Sequence, residues 1–344
     1  SGRVPGRGAT GATQITRIAE PAQRITRYAV AIFPVYAGLT LALWIGLLIL
    51  GETSLVALAH AMGTISTSGI SAGAGLSDAA AGLPGEMLML GFLVFALTRR
   101  ALPFTGLADR NLPLARDPEL RTALLLIGLL PLVLFLRHWI FNLSVEGIEP
   151  FTGAARTIWG AMFTAASFLT TTGYESAWWA DARIWSGYEA PGTMLLGLAI
   201  VGGGVATTAG GVKLLRIYAL FRHGERELER IVHPSSVGGQ GAEARRLRRE
   251  GAYMAWVFFM LFAISIGLTV LLLSMAGLEF QQGLVLAIAA LTTTGPLVEV
   301  ALVDPISYAL LDTPVKAILG LAMIVGRLET LALIALFAPD GWRR

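Results

Sequence analysis

Apolar residues run along this chain in blocks that approach the length of a bilayer crossing, separated by shorter polar segments. The blocks are Tyr28–Leu50, Glu86–Leu97, Ala123–Leu136, Gly192–Val201, Ala252–Ala276 and Val315–Phe337. About 20 apolar residues in a helix span the ~30 Å hydrocarbon core. Between the blocks lie semi-apolar stretches too short to cross: Ser54–Met62, Ala154–Phe168 and Phe280–Leu291. Each is followed at once by a turn rich in Thr and Ser that ends in Gly. The pattern is span, half-helix, loop, span, and it occurs three times.

Composition fits that reading. The chain is 55% hydrophobic and 14% charged, where a soluble protein usually has about 25% charged residues. Mean hydropathy is +0.67. The expected class is an all-α polytopic membrane protein. There are no cysteines, which excludes disulfide, zinc-finger and thiol-nucleophile chemistry. No nucleophile–base pair, paired carboxylates or metal-ligand cluster is visible, so an enzyme is not expected. His60, His138, His223 and His233 give no i, i+4 pair and suit solvated or capping roles better than metal binding.

The net charge of +3 does not point to nucleic acid, because the cations are placed to set topology. Arg3, Arg7, Arg17, Arg24 and Arg27 precede the first span. Arg99, Arg100, Arg110, Arg116 and Arg121 lie between the second and third. Arg222 to Arg249 form another basic block, and Arg343 and Arg344 close the chain. The intervening segments are acidic or neutral. The positive-inside rule makes the basic blocks cytoplasmic, with both ends of the chain inside. The expected organisation is a cytoplasmic segment over 1–27 and pore repeats over 28–110, 111–249 and 250–344. The opening SGRVPGRGATGATQ lacks Met and is neither signal peptide nor span, so the chain is expected to begin partway into a longer product.

The three turns are TISTSGIS (Thr64–Ser71), LTTTGYES (Leu169–Ser176) and LTTTGPLV (Leu291–Val298). Each contains T-x-G. One copy means nothing, but repeats take precedence over single motifs. Backbone inside a membrane must be bonded or line water. A half-helix followed by a return loop can aim carbonyl oxygens at an axis, where they replace the hydration shell of a cation. Glycine supplies the left-handed conformations, and the carbonyl ends of the half-helices favour cations. The candidate ion-binding positions are Thr67, Ser68, Gly69 and Ile70; Thr171, Thr172, Gly173 and Tyr174; and Thr293, Thr294, Gly295 and Pro296. The alternative is that all three are helix-breaking turns in an ordinary bundle.

A second feature interrupts the fourth apolar block: GGGVATTAGG, residues 202–211. A run of glycines uncouples two helical halves, at about 1 kcal/mol each against Ala. A broken helix lining a cavity is the expected form, with Gly202, Gly203, Gly204, Gly210 and Gly211 in the break. Thr207 and Thr208 can bond the freed carbonyls. Lys213 and Arg216 begin the lower half and would add a positive barrier if they face a pore. The alternative is that the glycines only allow close helix crossing. A phosphate loop is excluded, because Gly211-Val212-Lys213-Leu214 does not fit its pattern. Arg327, buried in the last span, is a functional candidate by default and is expected near this loop. The block from Arg222 to Arg249 reads as an exposed face that could also dock a cytosolic partner or anionic lipid.

Taken together, the pore turns, GGGVATTAGGVKLLRIYAL followed by HGERELERIVHPSSV, and the C-terminal GRLETLALIALFAP resemble the Trk/Ktr/HKT superfamily of potassium transporters, most closely its bacterial TrkH branch. The resemblance covers nearly the whole chain. It implies a potassium-permeable fold in the bacterial cytoplasmic (inner) membrane, built as span–half-helix–span units around a pseudo-fourfold pore. It implies a homodimer, each subunit with its own pore, controlled by a cytosolic nucleotide-binding ring of the TrkA/KtrA type. K⁺ would be the transported ion, with no covalent cofactor. Gly69, Gly173 and Gly295 match the filter glycines, residues 202–211 match the intramembrane gate loop, and Arg327 matches an arginine close to that loop. Members carry four repeats and this chain shows three, the first being the one expected to be missing. Ala206 and Ala209 stand at usual glycine positions, which implies a stiffer loop. A secondary transporter coupling K⁺ to Na⁺ or H⁺ and a non-conducting scaffold are the competing functions. Retained glycine in each turn favours K⁺ over Na⁺.

Overall fold

The computed structural model describes residues 21–73, 75–76, 79–98, 117–141, 150–187, 192–232, 242–302 and 306–328. The segment before residue 21, the arginines at 99, 100, 110 and 116, His233, and the last span beyond Leu328 with Glu329 lie outside these residues. The chain divides into two units, Ser1–Leu39 and Thr40–Arg344. The described part of the first is the opening of helix α1 (Pro21–Ile49), which carries Pro34 within it. All three half-helix repeats fall in the second unit.

Among its described residues every regular element of that unit is a helix. It holds the end of α1, then α2 (Ser54–Ile65), α3 (Gly82–Leu97), α4 (Pro118–Phe141), α5 (Pro150–Leu169) and α6 (Trp179–Ser186). There follow α7 (Gly192–Val201), α8 (Leu214–Val232), α9 (Ala242–Met275), α10 (Phe280–Thr292), α11 (Leu297–Ala301) and α12 (Thr313–Leu328), with a 3-10 turn at Tyr308–Leu310. Among the described residues three helical stretches are long and apolar enough to cross a membrane: Ile32–Ile49, Pro118–Ile140 and Gly251–Met275.

The half-helices run longer than the apolar pattern suggested. α5 begins at Pro150 rather than Ala154, and α10 ends at Thr292. At their C-terminal ends hydroxyls bond the carbonyl four residues back, Thr64 to His60, Thr170 to Ala166 and Thr292 to Ile288. The short helices α6 and α11 were not visible in the pattern.

The layering inverts that of a soluble bundle. The long helices are outermost, and α4 and α9 expose Leu125, Leu129, Leu132, Ile264, Leu268 and Leu271. Such an apolar exterior suits a lipid solvent. The centre is made of helices too short or too weakly apolar to cross. In α5, Ala161, Phe163, Ala165, Ala166, Phe168 and Leu169 are fully buried, as are Leu286, Ala287, Ala289 and Ala290 in α10. α5 packs on α4, α6 and α7, while α10 packs on α9, α12 and α7. The core therefore surrounds the C-terminal ends of the half-helices, where the Thr-rich turns begin.

Small residues let the outer helices reach that centre. At Gly326 of α12 a Cβ would lie 2.1 Å from the Leu291 carbonyl oxygen of α10, whereas one at Gly320 on the same helix meets nothing within 4 Å. Overpacking costs about 1–3 kcal/mol, and Ala exceeds Gly in a helix by about 1 kcal/mol. G326A is therefore expected to lower the thermal unfolding midpoint in detergent and G320A to raise it; the same sign for both would contradict this packing.

Candidate ion pathway and its intramembrane loop

The three turns are built alike. Each half-helix ends in a Schellman closure, with paired 6→1 and 5→2 bonds around a left-handed residue. In the first, Thr67 N–H donates to the Thr64 carbonyl at 3.2 Å and Ser68 N–H to Gly63 at 2.9 Å. In the second, Thr171 donates to Phe168 at 3.1 Å and Thr172 to Ser167 at 2.9 Å. In the third, Thr293 donates to Ala290 at 3.1 Å and Thr294 to Ala289 at 2.9 Å. The left-handed position, usually glycine, is threonine in all three, with φ of 52°, 57° and 57°. For a β-branched residue that is an outlier, and strain of this kind gathers at functional sites.

A hydroxyl bridge completes each turn. Ser66 Oγ donates to the Met62 carbonyl at 2.7 Å and lies 3.0 Å from Ser68 Oγ. Thr170 Oγ1 donates to Ala166 at 2.9 Å and lies 3.0 Å from Thr172 Oγ1. Thr292 Oγ1 donates to the Ile288 carbonyl at 2.8 Å and lies 3.0 Å from Thr294 Oγ1. The repeated unit is therefore [ST]-T-[ST]-G, and Ser66, Thr170 and Thr292 belong to it. The sequence carried that signal in three aligned copies, and the T-x-G reading passed over it.

The turns meet one another. A Cβ on Gly69 would lie 2.0 Å from the Thr172 carbonyl oxygen, so that contact requires glycine. The Pro296 ring lies against both Gly69 and Gly173. Tyr174 Oη donates to the Ile70 carbonyl at 2.8 Å, and its ring takes the edge of His60 at 5.5 Å. His60 Nε2 shares a 3.1 Å hydrogen bond with Ser71 Oγ. The third turn departs from the other two. Gly69 and Gly173 are left-handed, whereas Gly295 is not. It precedes Pro296, which restricts it, and its carbonyl accepts from Tyr308 Oη at 3.0 Å. Tyr308, distant in the pattern, was not anticipated.

Residues 202–213 break the α7–α8 line as a closed loop. Val212 N–H donates to the Ile200 carbonyl at 2.9 Å and Lys213 N–H to Val201 at 2.8 Å, so the chain returns to where it left. The loop's polar groups are bonded on every side. The single Thr207 hydroxyl proton lies between two carbonyls, Gly204 at 2.7 Å and Ala96 at 3.0 Å. Gly204 N–H donates to Ala96 at 3.0 Å. Val205 N–H donates to Glu119 Oε1 at 3.0 Å, beside Asp117, which accepts from Thr98 Oγ1 at 2.5 Å. Glu119 is buried, and the apolar pattern did not mark it.

The loop also reaches all three turns. Thr208 Oγ1 donates to the Ile65 carbonyl at 3.2 Å. Gly210 N–H donates to Thr171 Oγ1 at 2.7 Å. A Cβ on Gly210 would lie 2.0 Å from the Thr292 carbonyl oxygen. Arg327 reaches the loop too, donating through Nη1 to the Thr208 carbonyl at 2.8 Å. The arginine is exposed rather than buried, contrary to expectation, because α12 turns that face away from the described core. Lys213 is buried and its Nζ turns back on the Ala209 carbonyl. Arg216 lies over the Phe258 ring of α9, its Cζ 3.7 Å from the centroid. Neither cation stands free as a barrier.

A family model described as TrkH, cation transport protein, matches residues 88–342. The Trk system potassium uptake protein TrkH of Salmonella typhimurium is 29% identical over 325 residues, covering 93% of this chain and 63% of that protein. TrkI of Halomonas elongata, also named a Trk system potassium uptake protein, is 30% identical over 325 residues, covering 91% and 61%. The crystal structure of the potassium transporter TrkH from Vibrio parahaemolyticus is similar at a TM-score of 0.73 and 28% identity, covering 93% of this chain and 66% of that one. The chain thus spans under two thirds of the length of these curated relatives.

Of the two alanines in the loop, Ala206 is exposed and left-handed, at φ 59°, while Ala209 is buried with ordinary φ. A left-handed L-residue costs about 1–2 kcal/mol, and glycine's extra unfolded-state entropy costs about 0.4–1 kcal/mol. A206G is therefore expected to hold or raise the thermal midpoint, and A209G, which loses a buried methyl group, to lower it through a stability loss of about 1 kcal/mol. Loss of stability in A206G equal to that in A209G would show that the strain is not there.

Proposed function

The chain belongs to the TrkH family of cation transport proteins, and on that premise we propose that it supplies three of the four walls of a gated, potassium-selective pore. The observation that carries the proposal is the threefold recurrence of one strained turn. Three half-helices end in the same closure, with threonine forced left-handed at the same position each time. Packing alone does not need that conformation thrice.

The filter comprises residues 67–70, 171–174 and 293–296. Its work is dehydration. A cation entering from the outer side sheds water, and carbonyl and hydroxyl oxygens replace it. The carbonyl ends of α2, α5 and α10 add partial negative charge from three directions. Size selection follows from how firmly the turns hold their spacing. The cross-ties Tyr174 to Ile70 and Tyr308 to Gly295 support a filter that is held open rather than collapsing around a smaller ion. The fourth wall would come from a repeat preceding this chain.

The gate comprises residues 202–211, with Lys213 and Arg327. Its bonds to the filter turns support a closed state in which the loop underlies the filter. Opening requires the loop to leave Thr171 and Ile65, and Arg327 holds it through one carbonyl. Residues 222–249 at the cytoplasmic side are the proposed docking region for a nucleotide-binding regulatory ring, and the functional assembly is a homodimer in the inner membrane with both ends of this chain cytoplasmic.

Rubidium uptake into liposomes carrying the intact gene product tests this reading. K⁺ is expected to compete and Na⁺ is not, with no dependence on a Na⁺ gradient. G173S puts a side chain on a left-handed residue against Pro296 and is expected to lower K⁺ over Na⁺ discrimination by on the order of tenfold, about 1.4 kcal/mol. Uptake that follows the Na⁺ gradient would favour a carrier. Unaltered flux in G173S would favour a scaffold.

A further inference from the structure

Glu86 is a deeply buried carboxylate, 2% exposed in the apolar helix α3. A carboxylate there is costly unless it is hydrogen-bonded on both oxygens. It is. Oε2 accepts from Trp159 Nε1 of α5 at 2.6 Å and from Ser176 Oγ at 2.8 Å. Oε1 accepts from Ala177 N–H at 2.7 Å and from Ser176 Oγ at 3.0 Å. Three donors from two separate segments converge on one side chain of a third.

The segment it grips is the strand leaving the second turn. Ser176 stands two residues beyond Tyr174. Its N–H donates to Thr164 Oγ1 of α5 at 3.2 Å, and its Oγ accepts from Trp178 N–H at 3.2 Å. Glu86 thus clamps the exit strand between α3 and α5. Tyr174, held two residues upstream, in turn ties the Ile70 carbonyl of the first turn. One path from α3 to two filter turns runs through this carboxylate; the other leaves Ala96 and passes through the loop at 202–213. The other turns have different braces, His60 with Ser71 and Tyr308 with Gly295.

We propose that Glu86 is a positioning residue for the second filter turn: its carboxylate fixes Ser176 and Ala177, and thereby the spacing of the Tyr174 and Ile70 backbone that discriminates K⁺ from Na⁺. The proposal rests on the pore reading above. A carboxylate suits the site because all three contacts are donors. An amide offers one acceptor oxygen and places its NH₂ against either the indole N–H or the Ala177 N–H.

The test is rubidium uptake by the intact gene product in liposomes, with K⁺ and Na⁺ as competitors, beside thermal unfolding of each variant. E86Q is expected to retain uptake while K⁺ over Na⁺ discrimination falls by on the order of tenfold, the loss that follows from one hydrogen bond to a charged group. E86Q/W159F is expected to recover much of it, because a phenyl ring in place of the indole points no N–H at the amide. E86Q with wild-type discrimination, or with lowered stability alone and no rescue by W159F, would overturn the proposal. If E86Q does not fold, W159F and S176A each remove one donor, and wild-type discrimination in both would overturn it equally. A wild-type protein with no K⁺-selective uptake would instead sink the pore reading. A selective wild type altered by G173S but not by E86Q would sink only the role of Glu86.

Discussion

Helices that stop in the middle of an apolar protein leave carbonyls and N–H groups without partners, and the arrangement around α2, α5 and α10 follows from satisfying them. An unpaired backbone group in such surroundings costs several kcal/mol. Each half-helix resolves this locally, through a paired backbone closure and a Ser or Thr hydroxyl that bonds back by four residues and forward by two. The closure needs a left-handed residue. Threonine takes that place at a cost of about 1–3 kcal/mol, and its side chain is then available where glycine would offer none. Thr171 Oγ1 uses that freedom to accept from Gly210.

The same constraint shapes the loop at 202–213. A glycine-rich break in a span exposes backbone on every side, and partners come from α3, α4, α12 and two of the turns. The consequence is mechanical. The loop cannot leave its place without releasing bonds to Ile65 and Thr171, so loop position and turn geometry are linked through hydrogen bonds worth about 0.5–1.5 kcal/mol each. Those energies are small singly and large enough together to favour one position.

Burial ran opposite to length. α4 and α9 have the apolar composition of crossings and are mostly exposed, while the shorter α5 and α10 are mostly buried in their C-terminal halves. In lipid the outer surface has no reason to be polar, so hydropathy marks what faces the membrane. Smallness and hydroxyl content mark what lies at the centre. Ala165, Ala166, Ala287, Ala289 and Ala290 pack there because the turns must approach within hydrogen-bonding reach of one another.

Much of this was legible in the linear pattern. Block lengths separated spans from half-helices, the spaced copies of T-x-G located the turns, and ten residues with five glycines marked the broken helix, because each depends on local composition against a known length scale. Only the folded chain could decide the rest. That Thr67, Thr171 and Thr293 are left-handed depends on closure bonds five residues back. That Gly295 is not depends on Pro296 and on Tyr308 arriving from a later segment. Arg327 lies exposed, Lys213 turns inward, and Glu86 and Glu119 stand buried among donors from other helices. Sequence position carries no information about which distant N–H groups will converge on a carboxylate. Periodicity and length are properties of one segment, whereas partnership belongs to pairs of segments, and these exist only once the chain has folded.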